Sequence, residues 1–402
     1  MQLDPSKVEF RANPRLMGSA FELIVVHHDK SIATQLLDEG VAEIKRIEDL
    51  LSEFIPDSIT SLINKYAGIR PIVVPSEVFQ LLQRCQQISE LTQGAFDITV
   101  GPLKKIYHFK NKDFQFPPAQ LIESTLEMVG YTNLILNVAD QSVFLLKKNM
   151  RISFAAIGKG YAADQVKKLW QSKSLESGVI NASGDLTSFG HRADGSPWNL
   201  AIVHPDNKEA INYQLPVNNA SIATSGDYEQ FFTFKGKRYS HSIHPISGRP
   251  TSGIKSVSVF SPSAELSDAL ATAIFIMGVP TGLHFINQLP ITHCIIIDEH
   301  NQTHFSESIE LKTKPKLVQA EKIKQPIKTN QLRSVMASFC FFGILLLSSC
   351  ATVPNYERIY LNDSEMQMGQ TVASGVENYI HTIREGATPA GGAKTSGGCG
   401  CN

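Results

Sequence analysis

The chain has 402 residues, 42% of them hydrophobic and 19% charged, with 37 basic and 38 acidic side chains for a formal net charge of -1. That length supports one large or two ordinary domains with real cores, and the balanced charge lacks the basic excess that binding a phosphate backbone demands, which excludes nucleic acid as an expected partner. The six cysteines make no disulfide framework: Cys85 and Cys294 lie alone in apolar runs, and Cys340, Cys350, Cys399 and Cys401 crowd the last quarter.

In chain order, the opening MQLDPSKVEFRANPRLMGS carries mixed charge and no apolar stretch of signal-peptide length, so no N-terminal export sequence is visible. Ser19 to His28 reads as a strand, followed by a helix in which Ile44, Ile47, Leu50 and Leu51 share one face. Ser76 is placed to cap a second helix, whose Val78, Leu81, Leu82 and Cys85 repeat at helical spacing and make Cys85 a core residue rather than a reactive thiol. YTNLILNVADQSVFLLKK alternates as a hairpin. Further strands are expected at WNLAIVHP, QFFTFKGKRYSHSI, IKSVSVFSP and THCIIIDEH, with KGK and DEHN as turns, and helices near Gly160, Leu266 and Pro280. Helices so interspersed with hairpins predict an α+β fold, with mixed or antiparallel sheets and flanking helices, rather than a parallel doubly wound one.

A first domain is expected over residues 1–310. Residues 311–333 then read as a basic, Gln- and Pro-containing linker without a core face. Residues 334–350 contain VMASFCFFGILLL, shorter than the roughly 20 residues of a spanning helix. With Lys328 and Arg333 before it and LSSC after it, the segment has the layout of a secretory signal. Leu347 to Cys350 resembles the lipobox of bacterial lipoproteins, in which the cysteine is lipidated; the alternative is a buried or interfacial helix with an incidental cysteine. The tail, 351–402, resembles a small family of bacterial lipoproteins of unknown function, and its Gly-rich end cannot build a core of its own.

Three segments carry chemistry. In ISFAAIGKGYAADQVKKLW, Gly158 and Gly160 allow close approach of backbone to an anion at a helix start, or serve packing alone. In LSDALATAIFIMG, Asp268 and Thr272 lie one turn apart on a single face, where a carboxylate and a hydroxyl share a hard cation, or simply cap and brace the helix. In YSHSIHPISGRP, His241 and His244 have no third His or Cys at ligand spacing, so structural zinc is not expected, while either suits a proton carrier.

Together, MGSAFELIV, LLSEFIPDSITSLIN, TQGAFDITVGPL, AAIGKGYAAD, NASGDL, YSHSIHPISGRP and SDALATA resemble the ordered signature blocks of the ApbE flavin transferases, over about three quarters of the chain. The resemblance implies FAD as donor, Mg²⁺ as cofactor, a Ser or Thr of another protein as acceptor, and release of AMP. It implies flavin-dinucleotide contacts at Met17, Phe54, Ala95, Phe96, Asp97, Ser153, Lys159, Ile243 and Ala271, metal contacts at Asp268, Thr272 and the Ala156 carbonyl, and the family's histidine at His241. Asp268 or His241 is then the expected proton acceptor, and Lys159 is either a phosphate partner or a solvated lysine. The chain departs from the family pattern at Ser153, where an acidic residue of the ligand site is usual, at His244, where Asp precedes Pro, and at Ser183, where glycine is usual. FAD hydrolysis to FMN and AMP, and a non-catalytic flavin-binding module on a membrane-tethered scaffold, are the alternatives. No clean copy of the family's acceptor motif, an Asp followed by small residues and a terminal Thr, is visible in the chain, so the acceptor is expected to be a separate membrane redox subunit or secreted flavoprotein. Association with a bacterial inner membrane is expected through residues 334–350. Without an N-terminal signal the catalytic domain is expected on the cytoplasmic face, although the resemblance implies export.

Overall fold

The computed structural model describes residues 6–307 apart from 108, 110–113, 218 and 228–230; the linker, the hydrophobic segment with Cys350 and the tail lie outside the described residues. Strands β1 (Val8–Ala12), β2 (Arg15–Leu16) and β3 (Ser19–His27) precede helix α1 (Lys30–Leu51), which buries Ile44, Ile47 and Leu51 and half-buries Leu50. Asp29 caps α1 by accepting from the Ser31 and Ile32 N–H groups. After α2 (Ile59–Lys65) and β4 (Ile72–Val73) comes α3 (Ser76–Leu91), with Cys85 in the core. Its cap is Pro75, not Ser76, and no side chain caps it: the proline ring presets φ at -55°, and the serine falls inside the first turn.

Helices α4 (Gly101–Ile106) and α5 (Ala119–Leu126) lead through a 3₁₀ turn at Tyr131–Asn133 to the hairpin β5 (Leu134–Asn137) and β6 (Ser142–Leu145), which with β4 forms a three-stranded sheet. Helix α6 (Gly158–Ser172) is followed by β7 (Gly178–Ala182), β8 (Asp185–Phe189), the ribbon β9 (Trp198–His204) with β10 (Asn207–Val217), and β11 (Ser221–Gly226). A second hairpin, β12 (Phe231–Phe234) with β13 (Lys237–Ser240), turns at Lys235–Gly236, both at positive φ as a two-residue hairpin loop of primed type requires. The described chain closes with β14 (Ile254–Ser261), α7 (Ala264–Met277), α8 (Val279–Ile286), β15 (His293–Asp298) and β16 (Thr303–Phe305).

The main sheet runs β1-β3-β7-β8-β11-β14-β15-β16 with β2 beside β3. Every pair of named strands is antiparallel, and the one parallel contact among the described residues is the isolated bridge of Val100 with Arg151. Both faces of the sheet are buried, which explains the continuous apolar run in β3. Phe21, Leu23 and Val25 point into a core shared with α1, α6 and α7, whereas Ile24 and Val26 point into a second core with Trp198, Leu200 and Ile202 of the outer ribbon.

Helices α6 and α7 hold each other by exchanged carboxylates. Asp164 of α6 accepts from the Ala264 and Glu265 N–H groups and from the Ser263 hydroxyl, at 2.8–3.1 Å, and so covers the first turn of α7. Asp268 of α7 accepts in turn from the Gly160 N–H at 3.2 Å, inside the first turn of α6. Both pairings satisfy N–H groups that a helix start leaves without an internal partner. Gly160 makes this approach possible, because a Cβ there would sit 2.2 Å from the Ala264 carbonyl oxygen. Its glycine therefore serves helix packing; at Gly158 the nearest atom to such a Cβ is Met17 Cε, 3.5 Å away.

Gly160→Ala tests this contact. Helix propensity alone favours alanine by about 1 kcal/mol, whereas forcing a methyl into packed backbone costs about 3 kcal/mol. A net loss of about 2 kcal/mol in urea unfolding is expected, and a gain in stability would refute the packing argument.

Candidate active site

A cavity of about 140 Å³ opens where the starts of α6 and α7, the end of β11, α4 and the turn after β13 converge. Its lining includes Ala95, Phe96 and Asp97; Ala156 and Lys159; Thr224 and Ser225; His241 and Ile243; and Asp268 with Thr272. Segments almost two hundred residues apart in sequence thus face one space. Antiparallel strand order brings β11 beside β14, and β14 leads directly into α7.

Asp268 is 5% exposed, and Thr272, one turn on, has its hydroxyl 3.3 Å from Ser225 Oγ. A carboxylate, a hydroxyl and the Ala156 backbone bordering one cavity are the hard oxygen donors that Mg²⁺ takes, with ligand phosphate and water completing its shell. Among the described residues no three His, Cys, Asp or Glu side chains gather. The donor set therefore fits a hard, partly hydrated ion.

Lys159 pairs with Asp185 at 2.5 Å, and Asp185 is buried at the start of β8. The lysine borders the cavity with its charge already matched. Asp97 is also committed: it accepts from the Thr99 N–H and hydroxyl, each at 2.7 Å, and from the Tyr131 N–H at 2.9 Å. Burial pushes its carboxyl above the usual range despite these donors. Ile243 closes one wall, buried against Leu103 and Tyr107.

Four expected contacts lie outside the lining. Ala271 is fully buried among the packed side chains of α7 and does not reach the lining. Phe54 stands 88% exposed on the loop after α1. Met17, at φ 51°, donates its N–H to Glu48 and reaches toward Gly158. The Ser153 hydroxyl donates to Glu53 Oε1 at 2.7 Å, so a carboxylate from the loop after α1 stands beside the residue that departs from the family pattern. Sequence reading passed over Glu53, Lys104, Thr224, Ser225 and Asp185. None has a periodicity or spacing that marks it, and only the fold brings them to the cavity or its margin.

The other two departures also have local accounts. Ser183, at φ 59°, and Gly184, at φ 108°, form the two-residue turn between β7 and β8, where a glycine at the first position would avoid the left-handed strain of a side chain. His244 Nδ1 accepts from the Ile246 N–H at 3.2 Å and, more weakly, from the Ser247 N–H at 3.4 Å, as an aspartate before proline would. That use requires Nδ1 to be unprotonated, and burial indeed lowers the His244 pKa below its ordinary 6.5. His241 is left as the histidine on the cavity.

Because the folded-state pKa of His244 lies below the unfolded value, its contribution to stability is complete above pH 6.5 and is lost as pH falls through the folded value. The melting midpoint of the wild type is expected to drop more between pH 7 and pH 5 than that of His244→Asp, whose carboxylate remains an acceptor across this window. Equal drops in the two proteins would show that the turn does not depend on the imidazole.

Comparison with known proteins agrees with this geometry. The ApbE family model matches residues 17–296, and a second model, a domain of unknown function designated DUF4266, matches 353–402. A FAD:protein FMN transferase of Klebsiella pneumoniae is 31% identical over 302 residues, covering 75% of this chain and 92% of that protein. One from Escherichia coli K12 is 28% identical, covering 66% and 77%. Among solved structures, the ApbE protein of Thermotoga maritima superposes with a TM-score of 0.70 at 26% identity, over 76% of this chain and 99% of that one. The apo flavinyl transferase ApbE of Pseudomonas stutzeri gives 0.67 at 26% identity, over 75% and 95%. By sequence and by fold, this chain belongs to the ApbE family.

Proposed function

We propose that the chain is a Mg²⁺-dependent FAD:protein FMN transferase, with FAD as donor and a Ser or Thr hydroxyl of a separate flavoprotein as acceptor. The observation that carries this reading is the convergence of Asp268, Thr272, Ala156 and His241 on one cavity of an ApbE-family fold. Flavin-dinucleotide contacts are assigned to Ala95, Phe96, Asp97, Lys159 and Ile243 on the lining. Met17 and Phe54 reach the ligand only from outside it, and Ala271 acts by packing α7.

In the reaction, the acceptor oxygen attacks the phosphorus on the FMN side of the phosphoanhydride. The bond from that phosphorus to the bridging oxygen breaks, AMP leaves, and FMN stays on the acceptor through a phosphodiester. Mg²⁺ held by Asp268, Thr272 and the Ala156 carbonyl would supply neutralisation of the pyrophosphate and the departing AMP. The hydroxyl proton needs a base. Asp268 already accepts the Gly160 N–H and is assigned to the metal, which weakens its basicity, so His241 is the better acceptor. Positioning by Phe96, Ile243 and the α6 start supplies the remaining order.

The reading extends to the C-terminal part: residues 334–350 would act as an internal signal and anchor ending at Cys350, with the catalytic domain on the cytoplasmic face and the tail across the inner membrane. Among the described residues no helix is long and apolar enough to cross a membrane.

Incubation with FAD, Mg²⁺ and a candidate acceptor, followed by mass spectrometry of the acceptor, tests the function. An added FMN mass that vanishes with EDTA is expected. Free FMN and AMP with unmodified acceptor would identify a hydrolase, and intact FAD a binding module. His241→Ala should lower the transfer rate roughly 10²-fold or more while FAD still binds, and Asp268→Asn should abolish metal-dependent transfer; unchanged turnover in both would sink the assignment.

A further inference from the structure

Lys104 also lines the cavity, on the last turn of α4. It is held there from three sides. Gly101 packs so closely on Arg151 that a Cβ would meet that residue at 3.0 Å, which joins α4 to the segment leading to Ser153 and Ala156. Leu103, fully buried, packs with Ile243. Tyr107, just past the helix, donates its hydroxyl to the Gly248 carbonyl at 2.8 Å, tying α4 to the turn that follows His241. The helix is thus wedged between the Ala155–Ala156 wall and the His241–Ile243 wall, with Lys104 facing the gap.

The two cavity lysines differ in charge balance. Lys159 has Asp185 at 2.5 Å, whereas no carboxylate among the described residues lies within 4 Å of the Lys104 ammonium. Glu53 acts on it only from farther off, and its own oxygens meet Ser153 and Arg151. Burial lowers the Lys104 pKa, with Glu53 opposing. Lys104 is half-buried, and a partly desolvated ammonium without a close counterion is costly until an anion arrives.

Resting on the transferase reading above, we propose that Lys104 is the residue that binds the anionic phosphates of the dinucleotide, a role for which Lys159 was the candidate from sequence. An ammonium lining the same small cavity as Asp268 and Thr272, but on another element, would hold the pyrophosphate beside the metal donors. Asp185 keeps Lys159 as part of the wall, fastening the start of α6 to β8.

The test is FAD binding by the full-length protein in the presence of Mg²⁺, followed by flavin fluorescence, for wild type, Lys104→Met and Lys104→Arg, with melting midpoints measured alongside. Lys104→Met is expected to bind FAD about tenfold more weakly, or worse, which corresponds to about 1.4 kcal/mol. Lys104→Arg, which keeps the charge, is expected to stay within about threefold of wild type, and the midpoints to stay together. Wild-type affinity in Lys104→Met would overturn the role of Lys104 and leave the transferase reading standing. Equal weakness in both variants would also overturn it, because charge would not be the cause. A wild type that binds no FAD would bring down the transferase reading and this inference with it.

Discussion

The exchange of carboxylates between α6 and α7 is the constraint on which the site depends. Asp164 neutralises the start of α7 and Asp268 the start of α6, so two positive helix ends that would repel at close range are instead drawn together. Gly160 removes the one side chain that would keep them apart. Asp164 is buried within this contact, and burial outweighs its hydrogen bonds to leave its carboxyl above the usual range. Asp268 keeps a face on the cavity. One of the two carboxylates is therefore structural, and the other serves structure and site together.

A second support comes from the opposite wall. Phe109, Phe114 and Phe116 on the segment after α4 pack against Phe232 and Tyr239 of the β12–β13 hairpin, with ring centroids as close as 3.5 Å, and Tyr107 packs against the same three phenylalanines. The strand that ends in this hairpin continues directly to His241 and Ile243. Aromatic packing thereby carries orientation from α4 to the histidine turn, and the Tyr107 bond to Gly248 closes the same loop from below. The histidine stands on a braced turn.

Much of this was legible in the sequence, for identifiable reasons. Period-two and 3.6-residue patterns report which side chains are buried, so the strands around Leu23 and Ile296 and the helix of Ile44, Ile47 and Leu51 follow from them. The spacing of Asp268 and Thr272 places both on one face wherever the helix lies, and both border the cavity. What could not be read depends on the partner across a gap: that Gly160 meets Ala264, that Asp185 takes Lys159, or that Lys104 looks inward from a short helix whose sequence, GPLKKI, reads equally as solvated. Ser76 misled because a good capping residue beside a proline loses the cap position to the proline.

The departures from the family pattern follow one physical rule: a lost group is replaced by whatever the fold brings within hydrogen-bond reach. At Ser153 the acid is supplied from the loop after α1, because Glu53 Oε1 accepts from the serine hydroxyl. At His244 an imidazole nitrogen accepts the turn N–H groups in place of a carboxylate, and burial keeps it neutral to do so. Only Ser183 lacks such a substitute, since no neighbour can relieve a backbone at φ 59°. Its turn is held instead by the Gly184 N–H donating to Asn181 at 2.9 Å and by Asp185, the next residue, fastened to Lys159. Side-chain chemistry is exchangeable between neighbours, whereas backbone conformation is not, and this is why Ser153 and His244 each find a hydrogen-bond partner close by while Ser183 keeps its left-handed backbone.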